Sequence, residues 1–196
     1  ELRARLSMHP RPAGTPPVRV WDVGTGSGAI GIALAVALRA RGAIGDVSIR
    51  LSDRSPDALA LALENAVAQG VADAIETAIG DLLDTTPPPA PPYALVVANL
   101  PYIPTADLAA LAAATRHEPV AALDGGPDGL DVVRRLVDGL PDLLDPDGVA
   151  LLEIGADQGD AVLAHARSAL PGRRSCVHRD LAGRDRIVEI GPAPPG

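Results

Sequence analysis

From residue 18 onward, short apolar runs rich in Val and Ile alternate with longer stretches in which Ala, Leu and Ile recur at helical spacing. VRVWDV (18–23), DVSIRLSD (46–53), AIETAIG (74–80), YALVVA (93–98) and GVALLEI (148–154) read as strands. Between them the pattern predicts helices over 28–41, from Pro56 to about Gln69, and over 129–144 and 158–169. Ser55 followed by Pro56 is a helix-start signature, because the hydroxyl caps an orphan N–H and proline loses nothing at the first helical position. Two last runs, near 175–179 and 186–190, have no helix between them, only the charged turn RDLAGRDR. They predict an antiparallel hairpin at one edge. Strand–helix alternation at this spacing predicts an α/β fold: a doubly wound, mostly parallel seven-stranded sheet ending in that hairpin. Residues 1–17 fall outside the pattern, as a helix remnant (ELRARLSM) and a linker (HPRPAGTPP), so the domain is expected over 18–196.

Sheets of this kind bind ligands beyond the carboxyl ends of their strands, and four polar motifs fall at such ends. DVGTGSG (22–28) follows the first strand and opens a helix. Gly24, Gly26 and Gly28, with Thr25 and Ser27 between them, allow a tight turn and close approach of backbone to a ligand. The spacing G-x-G-x-G favours a compact ligand over a pyrophosphate, and Asp22 at the start of the turn suits a cationic one. Asp53 ends the second strand, where a carboxylate can accept both hydroxyls of a ribose; a helix-start carboxylate is the competing reading. Asp81 in GDLL (80–83) can accept the exocyclic amine of adenine while Leu82 packs on the ring, although a surface turn would use Gly-Asp too.

The fourth motif closes an apolar run: VVANLPYIPT (96–105). Asn99 offers a side-chain carbonyl and Leu100 a backbone carbonyl. Pro101 cannot donate, and it holds Leu100 extended. Two acceptors side by side match the two hydrogens of a planar –NH₂ group, and Tyr102 offers that group a face. An Asn turn ending a strand is the plainer alternative.

Composition narrows the partners. The 196 residues carry a net charge of −8, and every basic residue is Arg, which argues against stable binding to nucleic acid. No apolar run of about eighteen residues predicts a membrane span. The single Cys176 cannot form an internal disulfide, which points to a reducing, cytoplasmic setting. The four histidines and one cysteine lack ligand spacing, so no metal is expected. With no Phe, the core must be built from Leu, Val, Ile and Ala.

Taken in order, DVGTGSGAIGIALA, LSDRSPDALALALENA, GDLL and VVANLPYIP resemble the class I S-adenosylmethionine-dependent methyltransferases, which are Rossmann-like. HEPVAALDGGPDGLD (117–131), LLEIGADQGDAV (151–162) and RDLAGRDRIV (179–188) narrow the resemblance to the HemK/PrmC family, which methylates the side-chain nitrogen of glutamine in peptide release factors. The resemblance spans residues 18–190. It implies S-adenosylmethionine as cofactor, with S-adenosylhomocysteine as product, held by Asp22, Gly24, Thr25, Gly26, Ser27, Gly28, Asp53, Asp81, Leu82 and Asn99. It implies catalysis by Asn99, Leu100, Pro101 and Tyr102, a release factor as substrate, and a monomeric enzyme.

Two departures stand out. The family tetrapeptide is commonly Asn-Pro-Pro-Tyr, and Leu100 replaces its first proline. The acceptor needed there is a backbone carbonyl, which leucine also supplies. Asn-Leu-Pro-Tyr also resembles the motif of rRNA adenine dimethyltransferases, which keeps open methylation of an exocyclic amine of adenine or guanine. The family also carries an N-terminal helical domain that helps grip the release factor. Residues 1–17 match at most its end, which predicts weak substrate affinity for this chain. A cofactor-binding module without activity is the third reading.

Overall fold

The computed structural model describes residues 15–111 and 119–193. The predicted N-terminal remnant and the first residues of the linker lie outside them.

Strand β1 (Val18–Val23) buries Val20, Trp21 and Val23 completely, so it is covered on both faces, as a central parallel strand must be. It pairs in parallel with β2 (Val47–Asp53), and β2 in parallel with β3 (Ile75–Asp81). Helix α1 (Ala29–Arg39) connects the first pair and α2 (Pro56–Ala68) the second. Ile32, Ala35 and Leu38 of α1 and Ala62 and Ala66 of α2 share one apolar cluster with Val20, Val47, Ile49 and Leu51. The alanines let the helices lie close to the sheet in a chain without phenylalanine. Trp21 packs against Tyr93, with ring centroids 5.1 Å apart, and its indole N–H donates to Ser52 Oγ at 2.7 Å.

A third residue next to Trp21 is less expected. Arg50 is buried, with its guanidinium 5.3 Å from the Trp21 ring. It pairs with Glu76 (2.5 Å), donates to Thr85 Oγ1 (2.7 Å) and reaches the Pro87 carbonyl. It therefore anchors the segment after β3 to the middle of β2.

That segment is where the strand count departs from expectation. β3 turns back through Leu82 and Leu83 into a three-residue strand, β4 (Asp84–Thr86), antiparallel to it. The sheet therefore has eight strands rather than seven, in the order β4-β3-β2-β1-β5-β6-β8-β7, where β5 is Tyr93–Ala98, β6 Leu144–Glu153, β7 Arg174–Arg179 and β8 Asp185–Gly191. DTT is too short to show a period-2 pattern, so nothing in the sequence announces it. The predicted terminal hairpin is present, with β8 antiparallel to both β6 and β7. No helix among the described residues is long and apolar enough to cross a membrane.

The chain forms two compact units: residues up to Val97 with Leu143–Gly148, and Ala98–Asp142 with the chain from Val149 onward. In the second, the short α3 (Leu108–Leu111) is followed further along by α4 (Asp131–Gly139) and α5 (Gly159–Ala169). Helix α4 packs on α5, and α5 packs on β7 and β8. Val133, Leu136 and Val137 of α4, Val162 and Ala166 of α5, Leu152 of β6 and Val188 of β8 are all buried.

Candidate active site

In the first unit, the glycine turn leaves β1 and enters α1. Gly24, Gly26 and Gly28 all have positive φ (66°, 54° and 82°), a conformation that costs an L side chain strain, and Gly28 is the helix N-cap. Because glycine has no capping side chain, α1 is capped from elsewhere. Asp22 Oδ2 accepts the Gly31 N–H, an orphan donor of the first turn, at 2.9 Å, and the Thr25 hydroxyl at 2.8 Å. The turn is fixed further by Thr25 N–H to Ser52 O (2.8 Å) and by Asn65 Nδ2 of α2 to Ser27 O (2.9 Å).

Asp22 is 1% exposed, and its Oδ1 has no hydrogen-bond partner. Burial pushes its carboxyl up from the usual 3.8 to about 6; the Thr25 hydroxyl and Gly31 N–H pull the other way, and nearby Asp53 adds to the rise. A buried carboxylate with one bare oxygen beside a helix start is incomplete as a structural cap. It is suited to a cation.

Asp53 lies at the end of β2 and joins the same turn. Its Oδ2 accepts the Gly26 N–H and its Oδ1 the Ser55 N–H, each at 2.9 Å. A carboxylate has about four acceptor sites, so each oxygen keeps capacity for a hydroxyl. The helix-start role and the ligand role considered from sequence are thus compatible. Asp81 lies two residues past Ile79, the residue in register with Asp53, at an exposed position that opens the β3–β4 turn. Leu82 follows with φ 54°, a glycine-like value held by a leucine.

In the second unit, Asn99 follows directly on β5 and is exposed, whereas Leu100 is 4% exposed and Pro101 and Tyr102 are half-buried. The backbone beyond them is pinned by a loop. Ile103 bridges Asp124, its N–H donates to Leu123 O at 3.0 Å, and Gly125 N–H returns to Ile103 O at 2.9 Å. Asp124 Oδ1 accepts the Thr105 hydroxyl (2.7 Å) and the Gly126 N–H (3.0 Å), which hold its carboxyl below the usual carboxylate range.

Gln158, at the start of α5, holds the tetrapeptide itself. Its Nε2 donates to the Tyr102 carbonyl at 2.8 Å, and its Oε1 accepts the Gly155 N–H at 2.8 Å. Gly129, with φ 77°, packs so closely here that a Cβ would strike the Tyr102 carbonyl and Gln158 Nε2. The roles of Gln158, Gly129 and Asp124 are absent from the sequence reading. Each sits in a stretch that carries the family resemblance, DGGPDG or EIGADQG, and those stretches were the available signal.

The fold is that of the Rossmann-like methyltransferases. The ribosomal protein L11 methylase of Lactobacillus delbrueckii subsp. bulgaricus superposes with a TM-score of 0.61 over 93% of this chain and 73% of its own, at 22% identity. No protein-family profile matches the chain. Curated relatives of higher identity are named release factor glutamine methyltransferase. That of Moorella thermoacetica is 48% identical over 172 residues, which cover 85% of this chain and 56% of the relative. A crystal structure of a release-factor-specific protein-(glutamine-N5) methyltransferase from Alicyclobacillus acidocaldarius subsp. acidocaldarius matches with a TM-score of 0.51 and 26% identity, over 92% of this chain and 84% of that one. The chain spans a little over half the length of the curated relatives it matches.

Proposed function

We propose that this chain transfers a methyl group from S-adenosylmethionine to the side-chain amide nitrogen of a glutamine in a peptide chain release factor, in the cytoplasm. The observation that carries the reading is the 48% identity to a release factor glutamine methyltransferase over 85% of this chain.

The residues of the glycine turn fit the cofactor. The unpartnered, buried Oδ1 of Asp22 suits the ammonium of its methionine part, and the spare acceptor sites of Asp53 suit the two ribose hydroxyls. Asp81 and Leu82 are assigned the adenine, and Gly24, Thr25, Gly26, Ser27 and Gly28 the backbone that approaches the ligand. The cofactor supplies the chemistry, a methyl carbon made electrophilic by the sulfonium.

The protein's own task is placement. A glutamine amide nitrogen is a poor nucleophile, because its lone pair is delocalised into the carbonyl. The Asn99 side-chain carbonyl and the Leu100 backbone carbonyl accept its two N–H bonds, so the nitrogen is held flat and aimed. Both acceptors also favour the positive charge that develops on nitrogen as the bond forms. Pro101 keeps Leu100 extended, and Tyr102 offers a face to the planar group. The hydrogen bond from Gln158 fixes the Tyr102 backbone, and with it the last residue of the tetrapeptide. The amide proton leaves after transfer, when the nitrogen is acidic, so no strong general base is required beside it.

The test separates binding from transfer. Asn99→Ala should still bind S-adenosylmethionine but lose roughly 10²–10³ in single-turnover rate, the usual cost of removing one such polar partner from a transition state. Wild-type turnover would remove Asn99 from the mechanism.

A further inference from the structure

The outer hairpin gathers three metal-ligating groups that the proposed reaction does not use. Cys176 stands directly across from Glu189 in the β7–β8 pairing. Side chains alternate along a strand, so His178 shares the Cys176 face, while Val177 points the other way, toward Gly159 of α5. Cys176 Sγ lies 3.7 Å from His178 Nε2, which lies 2.8 Å from Glu189 Oε2; the three ligand atoms all fall within 4.8 Å of one another.

We propose that Cys176, His178 and Glu189 form a three-ligand site for a borderline-soft divalent cation, Zn²⁺ foremost, which staples the edge strand β7 to β8. A tetrahedral zinc with a Zn–S bond of about 2.3 Å and a Zn–N bond of about 2.0–2.1 Å separates those two ligands by about 3.6 Å. The sulfur and nitrogen already stand at that spacing. The imidazole and carboxylate need open by only about 0.5 Å to span the corresponding N–O edge of about 3.3 Å. A thiolate, an imidazole and a carboxylate together favour zinc over magnesium or calcium, which prefer oxygen alone. Glu189 is only 16% exposed and His178 51%, so one side of the cluster is walled by protein and the other is open to a water as fourth ligand. Arg174 Nη2 lies 3.3 Å from the other carboxylate oxygen, Oε1, and orients Glu189 in the manner of an outer-shell partner. The sequence predicts no metal because Cys176 and His178 have no neighbour at finger-like spacing. The third ligand comes from the paired strand, eleven residues beyond His178.

The experiment uses the tag-free chain, stripped with chelator and kept reduced with a phosphine. Zn²⁺ is titrated calorimetrically, and Co²⁺ is followed by its thiolate charge-transfer band in the near ultraviolet. Wild type should bind one ion per chain, show the band and gain thermal stability with Zn²⁺. Cys176→Ser should lose the band. Cys176→Ser and His178→Ala should each weaken Zn²⁺ by at least the roughly 10–100-fold that loss of an outer-shell partner costs. His178 is exposed enough for its variant to fold. Absence of saturable binding by wild type, or wild-type affinity in either variant, would overturn the site.

Discussion

At the scale of single residues, Asp22 carries the clearest consequence. Its folded carboxyl titrates near 6 and its unfolded one near 3.8. Between those values the folded chain holds a proton that the unfolded chain has released. Stability therefore falls as pH rises through this window, by about 3 kcal/mol at most. In Asp22→Asn the slope of urea-unfolding free energy between about pH 4 and 6 should flatten; a slope identical to wild type would show that another group sets it. With a cationic ligand beside it the ionised form is the one favoured, so the affinity of wild type for S-adenosylmethionine should rise with pH up to about 6 and level off above. Gln158 makes a second claim. Gln158→Glu keeps the acceptor for the Gly155 N–H but offers no donor to the Tyr102 carbonyl. It should lose roughly 1–3 kcal/mol of stability, the cost of one buried group left unpaired; an unchanged denaturation midpoint would contradict that. The two residues differ in how far sequence reveals them. Asp22 is legible because it opens a glycine turn at a strand end. Gln158 is not, because its partner is a backbone carbonyl 56 residues away and no local pattern records such a pairing.

At the scale of elements, the start of α2 is where sequence and structure agree most closely. Ser55 Oγ accepts the Ala58 N–H at 3.2 Å and Pro56 takes the first helical position, as the Ser-Pro pair predicts. Ser55→Ala should therefore destabilise the chain by about 1 kcal/mol in urea. It should leave cofactor affinity nearly unchanged, because the link from Asp53 to this helix runs through the Ser55 backbone N–H, which alanine keeps. A large loss of affinity would mean that the Ser55 hydroxyl itself serves the site. Other elements were legible by type but not by extent. The helix predicted over 129–144 is α-helical only over Asp131–Gly139, and β6 begins at Leu144 rather than near 148. Pro141 and Pro146 break helical continuity there, and pairing within the sheet takes over. β4 was hidden for a different reason: it exists through its pairing with β3, with buried Arg50 holding Thr85 and the Pro87 carbonyl.

At the scale of the molecule, the strand order reverses at β1, with β2 and β3 on one side and β5 on the other. The carboxylate and glycine turn follow β1 in one unit, and Asn99 and Leu100 follow β5 in the other. This arrangement was legible because each motif lies within one short stretch, and its order along the chain carries the resemblance. What motif order leaves open is the nucleophile, since an amide of glutamine and an amine of a base present the same two hydrogens. The net charge of −8 and the homologues of this chain favour the protein amide. The direct measurement is to incubate the chain with methyl-labelled S-adenosylmethionine and, separately, a peptide chain release factor or total RNA, and to locate the label by mass spectrometry. The label should appear on the side-chain nitrogen of one glutamine of the release factor, and RNA should stay unlabelled. Methylated adenine or guanine with an unmodified release factor would contradict this reading and assign the carbonyl pair to a nucleobase.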